Sequence, residues 1–164
     1  MFSAYSRGRS VRPGLAMAAA VVGTLSLIST AASAGGCPAD KMGVDVTKPG
    51  AMAPKDVTDK VLTSIDVSKE PAHIDGRLLR LRRLEIKPGG VVPWHSHGDR
   101  PAIIYIIKGT ITEYASNCAV PIVHHAGEAT PEMSGTSHWW KNTGKETVVL
   151  LSADLLHDPK DHNM

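Results

Sequence analysis

Beyond residue 56 the apolar positions repeat with a period of two, and no stretch there holds the 3.6-residue period of a helix. Short strands are the expectation. Val57 to Ser68, with Val61, Leu62, Ile65 and Val67, reads as a first strand that ends at Glu70-Pro71. Leu78 to Ile86 reads as a second, but Leu79 and Leu81 share one face while Leu84 and Ile86 share the other, which predicts a bulge near Arg82-Arg83. Pro88-Gly89-Gly90 marks a turn before a strand from Val91 to His97. Ala102 to Lys108 is a β-branched run in which Ala102, Ile104 and Ile106 lie on one side and Ile103, Tyr105 and Ile107 on the other. Thr110 to Ala115 and Pro121 to His125 predict a hairpin around Asn117-Cys118, and His138 to Asn142 and Thr147 to Leu155 are the last strands. Many short strands with Gly and Pro between them argue for an all-β barrel or sandwich.

The first 34 residues have a different pattern and a different meaning. Arg7, Arg9 and Arg12 precede a small, apolar stretch from Leu15 to Ile28, and Ala32-Ser33-Ala34 has the form of a cleavage site, so residues 1–34 read as an export signal. A membrane anchor is the alternative, against which the Ala, Ser, Thr and Gly content counts. Removing the signal leaves 15 basic against 16 acidic side chains, so the basic pI of 8.6 belongs mostly to the discarded segment. No basic stripe remains for nucleic acid, and no stable membrane anchor remains after cleavage. The expected location is periplasmic or secreted. The remaining 130 residues suffice for one domain with a real core: a leader arm over 35–56, the domain over 57–155 and a tail over 156–164. In an oxidising compartment Cys37 and Cys118 are candidates for a disulfide; lipidation of Cys37 is the rival, but Ala34-Gly35-Gly36 lacks the large apolar residue it needs.

The candidate chemistry sits in two segments. His95 and His97 are two apart in a predicted strand and so share a face, and His138 follows its own turn glycines. Three histidines from two strands predict a divalent metal site. The segments also resemble the paired motifs of the cupin superfamily. The first motif has a Gly, five residues, His-x-His, a Glu and a further Gly, and reads here as Gly89, His95, His97, Ala102 in place of the Glu, and Gly109. The second reads as Gly127, Met133 in place of a Pro, Gly135, His138 and Asn142. The resemblance spans about residues 57 to 155, and the 17 residues between Gly109 and Gly127 resemble compact bacterial cupins. It implies a double-stranded β-helix, that is, a cupin jelly-roll barrel.

It also implies roles. His95, His97 and His138 become metal ligands, with Fe(II) the favoured ion and Mn(II), Ni(II) or Zn(II) the alternatives. Ala102, at the position of the family's carboxylate ligand, leaves the ion its full charge and several open positions. That arrangement resembles the three-histidine iron dioxygenases, which act on small chelating substrates. A metal-binding module without catalysis, and an isomerase or lyase, are the competing expectations. An inward Ala102 takes Ile104 and Ile106 with it as pocket candidates, and Trp140, on the His138 face, is a fourth. Core packing is expected of Trp94 and Trp139. The arginines at 77, 80, 82 and 83 read as solvated charges on an outer sheet face, or as one that reaches inward to an anionic substrate. Asp99 and Arg100 are expected at the pocket mouth or as exposed turn residues, and Glu85 or Asp99 as substitutes for the missing ligand. His73, His124, His125, His157 and His162 are expected to be non-ligands. The outward strip Ile103, Tyr105 and Ile107, with the resemblance, implies a homodimer.

Overall fold

The computed structural model describes residues 35–157; the expected export segment, residues 1–34, and residues 158–164 lie outside them. Eight strands occupy the described chain: β1 Lys55–Asp66, β2 Leu78–Ser96, β3 Ala102–Lys108, β4 Thr110–Ala115, β5 Ile122–His125, β6 Ala129–Glu132, β7 Ser137–Lys141 and β8 Val148–Leu156. They pair antiparallel in the order β5-β4-β7-β2-β8-β3-β6, and β1 joins β2. The chain folds as the all-β double-stranded β-helix that its motifs imply.

β2 organises this sheet. Its residues 78–86 pair with β8 and its residues 91–96 with β7, so one 19-residue strand belongs to both layers of the roll. The expected turn at Pro88-Gly89-Gly90 is instead a bend inside this strand. Gly89 supplies a φ of 75°, which an L side chain rarely adopts, and a Cβ on Gly90 would meet Asp56 O, Lys87 O and the Ile86 side chain at 2.8 Å. Asn142 ties the bend down. Its Nδ2 donates to Ile86 O (2.8 Å) and Glu146 O (2.7 Å), and its Oδ1 accepts from the Gly144 N–H (2.9 Å).

The expected bulge near Arg82-Arg83 is absent. β2 pairs with β8 without a break from Leu78 to Ile86, and the irregularity lies opposite, in β1 between Val61 and Thr63. Over Leu78–Ile86 the alternation does not slip: Arg80, Arg82, Leu84 and Ile86 face the interior while Leu79, Leu81, Arg83 and Glu85 face out. Two inward positions carry arginine, so reading the pattern from leucines alone suggested a slip that does not exist. The core proper is apolar, formed by Leu84, Ile86, Ile104, Ile106, Ile111, Val148 and Leu150. Each such side chain contributes roughly 1.5–3 kcal/mol by leaving water.

β6 has no counterpart among the expected strands. Pro131 removes a backbone donor, but β6 pairs only with β3 and is an edge, where that loss is tolerated. The leader arm runs outside the roll with a 3-10 turn at Ala39–Lys41 and is fastened by the disulfide Cys37–Cys118, whose Cα atoms are 5.7 Å apart. Next to it Met42 and Cys118 form an isolated β-bridge.

Candidate metal centre

The bend in β2 delivers its C-terminal end to β7, where His95 and His138 are direct register partners. His97 lies just past the end of β2 and is held by its N–H donating to Thr136 O (3.2 Å). The three imidazoles therefore converge. His95 Nε2 lies 3.1 Å from His97 Nε2 and 3.2 Å from His138 Nε2, and His97 Nε2 lies 3.1 Å from His138 Nε2.

The opposite ring nitrogens fix the tautomers. Nδ1 of His95 donates to Pro93 O (2.8 Å), Nδ1 of His97 to Arg100 O (2.9 Å) and Nδ1 of His138 to a Glu113 carboxylate oxygen (2.6 Å). All three acceptors lack a proton to give, so each Nδ1 must carry the hydrogen. Burial, reinforced by the charge of His138, pushes His95 down to about 2 and His97 down to about 4, so both rings are neutral at physiological pH. Their Nε2 lone pairs then face each other at 3.1 Å with no proton between them. A cation relieves that repulsion, and the donor set suits a divalent transition metal.

Glu113, on β4, escaped the reading of the sequence. One carboxylate oxygen accepts from His138 and the other from His124 Nε2 (2.8 Å). Burial opposes its ionisation, but these two hydrogen bonds outweigh burial and hold it down to about 2. A carboxylate behind a ligand histidine orients the ring and raises its basicity. The available signal was Ile111-Thr-Glu113-Tyr-Ala115, which puts a carboxylate on an otherwise apolar strand face. Glu132, on β6, is the register partner of Ala102. Its carboxylate does not restore the family's fourth ligand, because it sits behind His138, 3.2 Å from Nδ1. Burial, then the charge of Glu113, pushes Glu132 up to about 10, so it is a neutral acid at pH 7. Among the described residues the groups able to hold an ion are His95 with His97 and His138, and Glu113 with Glu132 and His138.

The three Nε2 atoms open into a cavity of about 30 Å³ between the two layers, room for a few water-sized ligand atoms. Of the pocket candidates, Ile104 and Trp140 line it; Ala102 and Ile106 are buried in the adjoining core and do not. Trp140 stacks on His124 at 4.7 Å and meets His138 edge-on at 5.7 Å. Trp139 stacks on Tyr114 outside the cavity, at 4.2 Å, and Trp94 is half-buried.

Arg82 also lines the cavity and is only 4% exposed, so of the two inward arginines it is the one that reaches the cavity. It pairs with Asp59, and its Nη2 reaches Ser152 Oγ (3.2 Å) and Asp154 (3.3 Å), while its Nε has no hydrogen-bond partner among the described residues. Arg80 holds Asp154 through two bonds of 2.9 and 2.7 Å. Arg83, by contrast, is outside and pairs with Glu85. Arg100, expected at a mouth or in an exposed turn, is buried with Nη1 3.8 Å from Asp154. Glu85 and Asp99 are not substitute ligands: Glu85 is half-buried on the outer face against Arg83, and Asp99 is exposed against His157. His124 is buried, His125 and His73 are exposed, none is in the three-histidine group, and His162 lies outside the described residues.

Residues 82–154 match the family model described as the cupin domain. The chain belongs to the cupin superfamily. Germin-like protein 8-14 of Oryza sativa subsp. japonica is 29% identical over 84 residues, which are 49% of this chain and 39% of that protein. This cupin thus spans about two fifths of the length of the curated relative it matches. Among solved structures, an uncharacterized conserved protein with a double-stranded β-helix domain from Klebsiella pneumoniae superposes with a TM-score of 0.50 at 16% identity, covering 69% of this chain and 85% of that one. A predicted oxalate decarboxylase from Thermotoga maritima gives 0.49 at 23% identity, covering 67% and 97%. The Klebsiella pneumoniae domain shares the fold.

Proposed function

We propose that this cupin is an exported metalloprotein in which His95, His97 and His138 hold a divalent ion, iron(II) first, for oxygen-dependent chemistry on a small chelating anion. The observation that carries the reading is the meeting of the bare His95 and His97 Nε2 lone pairs beside His138 Nε2, all within 3.1–3.2 Å. Bound there, the ion supplies Lewis acidity and, if redox-active, access to dioxygen. The chain's own residues do the rest. Imidazole ligands cancel none of the ion's charge, and Arg82, on the same cavity wall, keeps an Nε–H with no partner among the described residues. Both favour an anion. Leu84, Ile104, Leu150 and Trp140 surround it with apolar surface that excludes water. Glu113 holds the His138 ring in place from behind.

Metal analysis of the purified protein and an oxygen-uptake screen against small enolic and catecholic acids test this reading. Bound metal that is lost in the His95→Ala/His97→Ala/His138→Ala variant, with oxygen consumption that stops when zinc replaces iron, is the expected result. Protein that takes up no divalent ion, and a triple variant as stable as the parent, would sink it. The small size of the cavity favours a second reading, a binding module without turnover; saturable anion binding with every metal inactive identifies it. Activity that survives without oxygen and with zinc identifies an isomerase or lyase.

Export is supported by the signal-like residues 1–34 and by the disulfide, which suits an oxidising compartment. Among the described residues no helix is long and apolar enough to cross a membrane. We take 35–56 as the arm, 57–155 as the domain and 156–164 as the tail. The homodimer belongs to the same proposal: Ile103 is 58% exposed and continues with Tyr105 and Ile107 on the outer face of β3. Sedimentation at twice the chain mass, reduced to a monomer by Ile103→Glu, is the expected result.

A further inference from the structure

The two ends of the sheet order, β5 and β6, are not paired to each other, which leaves a seam along the side of the roll. The leader arm crosses that seam, held by the Cys37–Cys118 disulfide and by the Gly35 N–H donating to Glu128 (3.4 Å). Beneath the arm is a second chamber of about 270 Å³, much larger than the cavity at the three Nε2 atoms. It lies on the other side of His138, and its wall includes Glu113 and Glu132.

Glu132 is only 3% exposed, and its Oε1 has no hydrogen-bond partner among the described residues. Both oxygens of Glu113 are already used by His124 and His138. The chamber therefore presents a buried acceptor with nothing to accept from, beside a second carboxylate, and among the described residues no lysine or arginine lines it. An ammonium group placed there supplies N–H donors to that unmet oxygen and a positive charge beside Glu113. The remaining wall is short of further charges: Thr130 and Thr136 offer hydroxyls, and Ile122 and Met133 offer apolar surface. A bare divalent ion fits poorly. The space greatly exceeds an ion, and the third donor within reach, His138 Nδ1, is committed as an N–H donor to Glu113.

We infer that this chamber is a binding site for a small organic cation, a primary ammonium on a short apolar chain, whose head meets Glu132 and whose tail lies against Ile122 and Met133 under the arm. Glu113 and Glu132 both touch His138 from behind, but the site does not depend on the function proposed for the metal centre.

Calorimetric titration of the metal-free protein, disulfide intact, with n-butylamine and with n-butanol tests it. Butylamine is expected to bind saturably with one site, butanol at least tenfold more weakly, and Glu132→Gln to lose at least tenfold in butylamine affinity with an unchanged near-UV spectrum. Should Glu132→Gln not fold, methyl NMR of the unmodified chain decides. Butylamine then shifts Met42 and Met133, which line the chamber, and leaves Met52, which does not. Equal responses to amine and alcohol, shifts spread over all the methionines, or uptake of calcium or zinc through Glu132 with no response to amine would each overturn the inference.

Discussion

At the scale of single residues the centre depends on where protons are held. Glu113 fixes the His138 tautomer by a 2.6 Å bond and takes a second from His124, so it is the residue on which ligand geometry turns. Glu113→Gln keeps the size but removes the charge, and its amide group must then face at least one N–H donor with a donor of its own. Metal affinity should fall about 10–100-fold, measured by competition with a chromophoric chelator. Unchanged affinity would make Glu113 a packing residue. His95 and His97 set the pH response of the metal-free protein. Their folded values, about 2 and about 4, lie below the 6.5 of a free imidazole. Between those values the unfolded chain binds protons that the folded chain refuses, so their contribution to stability is complete above pH 6.5 and is lost as the pH falls through 6.5 toward 4. The urea midpoint of chelator-treated protein is expected to drop over that interval, and to drop less in His95→Ala/His97→Ala. Equal slopes would exclude these two histidines as the cause.

At the scale of elements the bend in β2 is the device that makes a site out of a sheet, and Asn142 is its fastening. Removing that side chain strands Ile86 O, Glu146 O and the Gly144 N–H, with Asn142 itself fully buried. Asn142→Ala should cost about 2–4 kcal/mol, since each buried group left unmade costs roughly 1–3 kcal/mol and local relaxation recovers part of it. The denaturant midpoint measures it; a loss below the usual surface range would mean water replaces the amide. These elements also show what the sequence could reveal. β3 and β4 were legible as strands from their β-branched residues, and the inward face of β3 from Ala102 standing at the family's ligand position. The three histidines were legible from their two-residue spacing and their glycines. Arg82, Asp154, Glu113 and Glu132 were not, because a charged side chain read alone belongs in water. Each becomes an interior residue only through partners on other strands: Asp59, Ser152 and Asp154 for Arg82, and His124 and His138 for Glu113. Those pairings are 11 to 72 residues apart, beyond the reach of any local pattern. β6 was illegible for a simpler reason, since its proline marks a breaker until its edge position is known.

At the scale of the whole molecule the domain is closed on one side by covalent chemistry. The disulfide joins residues 81 apart, so it encloses β1, β2, β3 and β4 in one loop before the β4–β5 turn. Cross-linking a loop of that length restricts mainly the unfolded chain, and losing a native bridge of this kind costs about 2–5 kcal/mol. The disulfide is the arm's only covalent tie among the described residues; the rest are hydrogen bonds, among them Gly43 N–H to Asn117 O (3.0 Å), Val46 N–H to Ser116 O (2.9 Å), Ala119 N–H to Lys41 O (2.9 Å) and Trp94 N–H to Ala51 O (2.7 Å). Cys37→Ser should therefore do two separable things. The thermal midpoint should fall for the whole domain, because the enclosed loop contains half its strands. Limited proteolysis under native conditions should cut first within the 35–54 arm and leave β1 to β8 intact, because the roll keeps its own core once the arm is released. Mass spectrometry of the products distinguishes the outcomes. Cleavage inside β2 or β8 at the same rate would mean that the arm is part of the core, whereas an unchanged digest with a lowered midpoint would mean that hydrogen bonds alone hold the arm and that the disulfide acts only on the unfolded chain.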